Sequence, residues 1–164
     1  MNGYALRDDQ GRALNRLLNR IAGQMEAEAL LISDIGGNIL AQEIRKEDES
    51  IQTIAALAAG SFAATRELAR MIGEPEFLSV FHRGREQSIF MQSLASQFLV
   101  VAIVQKTTAQ GLVKLCLEKI APELEVILTA TAGQSLADIA ADTKLELADD
   151  DDDLFDEPDP DAQE

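Results

Sequence analysis

The stretch IAALAAGSFAATREL, Ile54 to Leu68, is rich in alanine, carries Gly60 near its centre and contains no turn signal to excuse that glycine. Apolar residues recur through it at spacings of three and four, which is the periodicity of a helix. The helix is expected to start at Ser50 as N-cap and to run to Ile72, where Gly73 and then Pro75 supply a stop. On a helical wheel, Ile51, Ile54, Ala58, Thr65, Leu68 and Ile72 share the side assigned to the core, while Ala56, Gly60, Ala63, Glu67 and Arg70 lie nearly opposite, with Ala59 beside them. A glycine within a helix costs roughly 1 kcal/mol relative to alanine. Its place in a row of small residues predicts that another polypeptide packs closely there; the alternative is an ordinary alanine-rich helix facing solvent.

Upstream, Ala13, Leu14, Leu17, Leu18 and Ile21 mark an amphipathic helix from Asp8 to about Ala22, with Asp8 or Asp9 as N-cap. ALLISDIGGNILAQEI follows as two apolar runs around Gly36 and Gly37, a β-hairpin whose turn can use positive φ. Beyond Pro75, FLSVFH, QSIFMQSL and FLVVAIV read as three strands joined by the turns RGRE and ASQ. The last of these is apolar on both faces, as an interior strand between two helical layers would be. A final helix begins near Thr108 with Leu112, Leu115, Cys116, Lys119 and Ile120 along one stripe, and Pro122 is expected to kink or break it. The expected order is therefore helix, strand, strand, helix, strand, strand, strand, helix. If FLSVFH lies at the sheet edge, two copies of the chain can join there and through the small-residue helix about one twofold axis.

The chain has 164 residues and a formal charge of −15, of which residues 133–164 carry 13 Asp and Glu against the single Lys144. Residues 1–132 are close to balanced, and they suffice for one core. The reading is one domain over residues 1–132 followed by an acidic, disordered tail over 133–164. No clustered Lys and Arg face a phosphate backbone, so nucleic acid is not an expected partner. The longest apolar run, Phe98 to Val104, is too short to span a bilayer, and the first twenty residues hold four arginines rather than a signal-peptide core, so no membrane insertion is expected. One cysteine and one histidine cannot complete a zinc or iron–sulfur site, and the lone thiol fits a reducing, cytoplasmic setting.

The sequence holds no Walker-type phosphate loop. Gly36–Gly37 precedes no helix N-terminus that would receive an anion, so the pair reads as a hairpin turn. His82 has no nucleophile and acid that the sequence places beside it and reads as a strand-end residue; Cys116 reads as core. DDDDDLFDE lacks the central glycine and the glutamate spacing of an EF-hand. It reads either as a solvating run or as a linear motif in which Leu154 and Phe155 fill an apolar pocket while the aspartates meet a basic rim. No catalytic residue, cofactor site or metal site is assigned.

The element order, LLISDIGGNILA, LAAGSFAATRELARMIGEPEF and SIFMQSLASQFLVVAIVQKTTAQGLVKL together resemble the roadblock domain, the dynein light-chain family, over roughly residues 8–130. Within that family, IGEPEFLSVFHRGREQSIFM, TTAQGLVKL and the Leu-Phe in the acidic tail are most similar to the bacterial MglB branch. The resemblance implies an α+β fold with a five-stranded antiparallel sheet and helices on both faces. It implies a homodimer, joined through second helices and edge strands, that presents two copies of the chain to one small Ras-like GTPase of the MglA type and stimulates its GTP hydrolysis, in bacterial polarity or gliding motility and near a cell pole. Ala56, Ala59, Gly60, Ala63, Glu67 and Arg70 would then carry dimer packing and GTPase docking. Arg66, Arg70, Arg83 and Arg85 are the arginines eligible to enter a GTPase site, although the resemblance favours alignment of the GTPase's own groups. A roadblock scaffold that tethers a GTPase or motor complex without changing turnover is the competing reading.

Overall fold

The structure, a computed structural model, describes residues 5–46 and 50–130. Its elements are α1 (Asp8–Gln24), β1 (Ala29–Asp34), β2 (Ile39–Ile44), α2 (Ile51–Met71), β3 (Ser79–Arg83), β4 (Gln87–Leu94), β5 (Phe98–Gln105) and α3 (Gln110–Thr129), in the order read from the sequence. The strands form one antiparallel sheet ordered β2-β1-β5-β4-β3, which places β5 at the centre and β3 at an edge. Seven consecutive residues of β5 are buried, because both faces of the central strand are covered.

Strand alternation divides the core in two. Leu30 and Ile32 of β1, Phe90 of β4 and Val100 and Ala102 of β5 point to the layer made by α1 and α3, meeting Leu14, Leu18, Leu117 and Leu124. Leu31, Met91, Leu99, Val101 and Ile103 point the other way, to Ile51, Ala55, Ala58 and Phe62 of α2. Alanines at the α2 contact let the helix axis lie close to the sheet.

Local chemistry sets the ends of the elements. Arg7, not Asp8 or Asp9, is the N-cap of α1, its amide donating to Gln10 Oε1 at 3.0 Å, while the two aspartates occupy the first turn. Gln10 is buried and its Nε2 donates to the carbonyls of Ile127 and Ala130 at 2.7 and 3.1 Å, tying the start of α1 to the end of α3. In the β1–β2 turn, Asp34 accepts from the amides of Gly36 and Asn38 and from Asn38 Nδ2. Burial works against the Asp34 charge, but these hydrogen bonds outweigh it and hold the carboxyl below its ordinary value of 3.8. Gly37 sits at φ +85°, and a Cβ there would lie 2.6 Å from Ala56 Cα, so the turn packs directly on the α2 backbone. Gly73 at φ +82° ends α2, with Glu74 N–H donating to the Ala69 carbonyl. The β4–β5 turn reaches positive φ with Ala95 and Ser96, without glycine or asparagine.

Two expectations for α3 also change. Helix α3 is not broken at Pro122 but continues to Thr129. Pro122 is exposed, as is Glu118, whose carbonyl loses its partner on the solvent side where water can satisfy it, and buried Leu117, Ile120, Leu124 and Ile127 hold the helix on both sides of the proline. The buried stripe of α3 also differs: Val113, Cys116, Leu117 and Ile120 face the sheet, while Leu112 and Leu115 are exposed.

Candidate functional site

Helix α2 is rotated by roughly 60° from its expected orientation, given about 3.6 residues per turn. Its buried residues are Ile51, Ala55, Ala58, Ala59, Phe62 and Ala69. Leu68 and Ile72, expected on the sheet side, are 59% and 70% exposed, and Ala59, expected beside the outward row, is buried. The expectation put the bulkiest apolar side chains inward. The sheet face instead takes Ile51, Phe62 and a set of alanines, and the leucines are left outside.

Ala56, Gly60, Ala63, Glu67 and Arg70 are exposed on one flank of the outward face. A Cβ built at Gly60 meets nothing within 4 Å, so no contact inside the chain requires glycine there. Sequence reasoning missed the rest of the surface. Leu57, Gly60, Ala64, Glu67 and Met71 follow one another at spacings of three and four, with Leu68 and Ile72 alongside. The surface is low in the middle, at Gly60, Ala63 and Ala64, and high at the ends, at Leu57 and at Leu68 with Met71; the last is 83% exposed. Ile35 in the β1–β2 turn and Leu78 just before β3 are also exposed apolar residues. The signal in the sequence was available: Leu57 and Met71 fit neither assigned side, and leucine and methionine left over on a solvent face mark an interaction surface when they cluster.

The arginines differ in their freedom. Arg70 bonds to Glu67 one turn away, which fixes both on the outer face of α2. Arg66 is half-buried and lines a crevice with Ile35, Phe62 and Phe98. Arg83 and Arg85 are exposed in and after the end of β3. Gly84 between them cannot be enlarged, since a Cβ would lie 2.2 Å from the Gln87 carbonyl oxygen.

A cleft of about 410 Å³ opens between the start of α2 and the β3–β4 turn, lined by Glu28, Lys46, Ile54, His82 and Arg83 among others. Glu28 accepts hydrogen bonds from the side chains of Gln87 and Gln105 and lies 3.8 Å from Lys46 Nζ. These interactions make Glu28 a structural acceptor that ties β4 and β5 together where they enter the cleft. No nucleophile stands beside His82 there. Cys116 is buried in α3 against the sheet. Among the described residues no three His, Cys, Asp or Glu are grouped to hold a metal ion, and no helix is long and apolar enough to cross a membrane. Leu154, Phe155 and the rest of the acidic segment at 133–164 lie outside the described residues.

The described residues thus present an exposed apolar saddle on α2 and an open strand edge at β3, both on one chain. The architecture has solved counterparts. MglB of Myxococcus xanthus is 31% identical with a TM-score of 0.66, the match covering 70% of this chain and 93% of that one. The gliding protein MglB of Thermus thermophilus is 25% identical with a TM-score of 0.72, covering 76% and 95%. A further structure, of MglB in a tetrameric arrangement, is 25% identical with a TM-score of 0.71, covering 77% and 95%. Comparison with curated protein sequences gives no match. The model of the Roadblock/LC7 domain matches residues 14–103, from the first helix to the central strand. The chain belongs to the Roadblock/LC7 domain family.

Proposed function

We propose that this chain is a homodimeric regulator that binds one small Ras-like GTPase of the MglA type with two of its copies and stimulates GTP hydrolysis by aligning the GTPase's own catalytic groups. The observation that carries the reading is the outward face of α2, where Leu57, Leu68, Met71 and Ile72 stand exposed around the low centre at Gly60, in a chain similar to MglB. Fully burying a side chain of this class contributes about 1.5–3 kcal/mol. Four such anchors give a pair of chains enough to offset part of the cost of association, which is of the order of 4–15 kcal/mol. Edge strand β3 supplies a row of unpaired backbone groups at one edge of the sheet.

Two copies related by a twofold axis bring both α2 helices into one platform. Ala56, Gly60, Ala63, Glu67 and Arg70 then lie at the shared surface, Gly60 and Ala63 allowing the close approach and the Glu67–Arg70 pair marking its polar rim. Ala59 has no direct part in it, being turned toward the sheet. The domain over residues 1–132 does the docking, and the acidic segment from 133 is a separate functional unit. The protein acts in the cytoplasm of a bacterial cell, in polarity or gliding motility, and needs no cofactor.

The test is GTP hydrolysis by a small Ras-like GTPase of the MglA type, measured under single-turnover conditions with and without the protein. Stimulation that saturates at two chains per GTPase is expected. Binding without any change in rate would make the protein a tethering scaffold, and absence of binding would remove the GTPase altogether.

A further inference from the structure

The layer opposite α2 carries a second surface that the reading above does not use. Arg12, Arg16 and Arg20 recur every fourth residue along the outer side of α1, and all three are exposed. Arg20 reaches across to Glu123 of α3 at 3.4 Å. One turn from Glu123 on the same side of α3 is Lys119, and further along stand Leu115 and Leu112, 63% and 42% exposed. Arg12, Arg16 and Lys119 form no ion pair among the described residues. Arg12 and Arg16 thus stand on the outer face of α1, and Lys119, Leu115 and Leu112 follow on the outer face of the neighbouring α3.

The described chain stops at Ala130, whose carbonyl accepts from Gln10, so the following segment departs from the start of this same seam. That segment contains five consecutive aspartates, Asp149 to Asp153, followed at once by Leu154 and Phe155. Its order, acidic then apolar, matches the order of the seam, basic then apolar, when the segment runs back from Ala130. The reach also matches. About 24 residues separate Ala130 from Leu154, a length whose random-coil span is about 25–30 Å, whereas Leu115 lies about 22 Å from Ala130 along the helix at about 1.5 Å per residue. A tether whose mean length equals the span gives the highest effective concentration at the site.

We propose that the acidic C-terminal segment of this chain docks on the α1–α3 seam of its own chain, the aspartates meeting Arg12, Arg16 and Lys119 and Leu154 with Phe155 covering Leu112 and Leu115. The sheet separates this seam from α2, so the proposal stands independently of any GTPase.

The test uses the full chain with Phe155 replaced by benzoylphenylalanine, which keeps an apolar aromatic group at the position and cross-links on illumination. Cross-links are expected to residues 112–119 within a single chain, and to fall at least tenfold in Arg12→Glu/Arg16→Glu and in about 1 M salt, where the screening length is about 3 Å. Both arginines are exposed, so unchanged circular dichroism should accompany the loss. Hydrogen exchange on the unmodified chain should report the same event, with α3 residues 112–119 less protected in the double variant than in the wild type. Cross-links to residues 56–72 of α2, cross-links that join two chains, or none above the level of the unfolded chain would overturn the proposal.

Discussion

Replacing Gly60 with arginine separates what one chain needs from what a pair of chains needs. Nothing lies within 4 Å of a Cβ at this position, so the single chain accommodates the new side chain without moving. Arginine is favoured over glycine in a helix interior by roughly 0.8 kcal/mol. For a domain of this size that gain raises the unfolding midpoint by about 3–5 °C. In a twofold pair crossing at Gly60 the side chain enters the contact twice, once from each copy, and an interaxial distance of about 8–10 Å leaves no space for it. The two effects have opposite sign, and protein concentration distinguishes them. Association that favours the folded state raises the wild-type midpoint with concentration. Over a roughly hundredfold dilution series the wild-type midpoint should climb with concentration, while that of Gly60→Arg should stay flat and exceed the wild type at the dilute end. GTPase stimulation by the variant should fall at least tenfold. A variant that still dimerises and stimulates fully would refute the role given to this surface. So would one that unfolds more readily than the wild type at the dilute end.

Other expectations are specific to particular residues. Arg83→Ala and Arg85→Ala should each lower stimulated hydrolysis by less than about threefold, whereas a loss of about 10³ or more in the same single-turnover assay would identify an inserted arginine. Gly37→Ala should cost about 2 kcal/mol or more in urea denaturation, because its φ of +85° disfavours a side chain and the new Cβ would lie 2.6 Å from Ala56 Cα; a neutral result would show that the hairpin turn is free to retreat from α2. The Asp34 carboxyl should titrate in carbon-13 spectra below 3.8, because its turn hydrogen bonds outweigh the cost of burial. With the folded value depressed, its contribution is complete above the unfolded value and is lost as pH falls through the folded one. A midpoint above 3.8 would contradict the turn geometry.

The order of elements was legible because each boundary has a local chemical cause. Gly73 at positive φ ends α2, Gly36–Gly37 turns the first hairpin, and the unbroken apolar run of β5 announces a strand covered on both faces. The position of β3 at the edge was legible only as a condition, since strand order depends on pairing across the sheet. The rotation of α2 was not legible. A wheel ranks residues by hydrophobicity, but which side faces the sheet also depends on how near the helix can come, and Ala55, Ala58 and Ala59 set that distance. The leucines and Met71 went outward as a result, so the exposed apolar face of α2 is displaced from the expected small-residue row and includes the helix's larger apolar residues. For α3 the same kind of error hid Val113 and Leu117 and left Leu112 and Leu115 misassigned to the core. The break expected at Pro122 does not occur because the missing hydrogen bond falls on the solvent side, which propensity along the chain does not reveal.

The exposed side of α2 is proposed to be covered by a second copy and a GTPase. Light scattering after size exclusion, on the chain alone and after mixing with the GTP-loaded Ras-like protein, measures this most directly. The chain alone should form a particle of twice 17.8 kDa, and the mixture a complex holding two chains and one GTPase. A particle of 17.8 kDa at every concentration, with or without the GTPase, would contradict it.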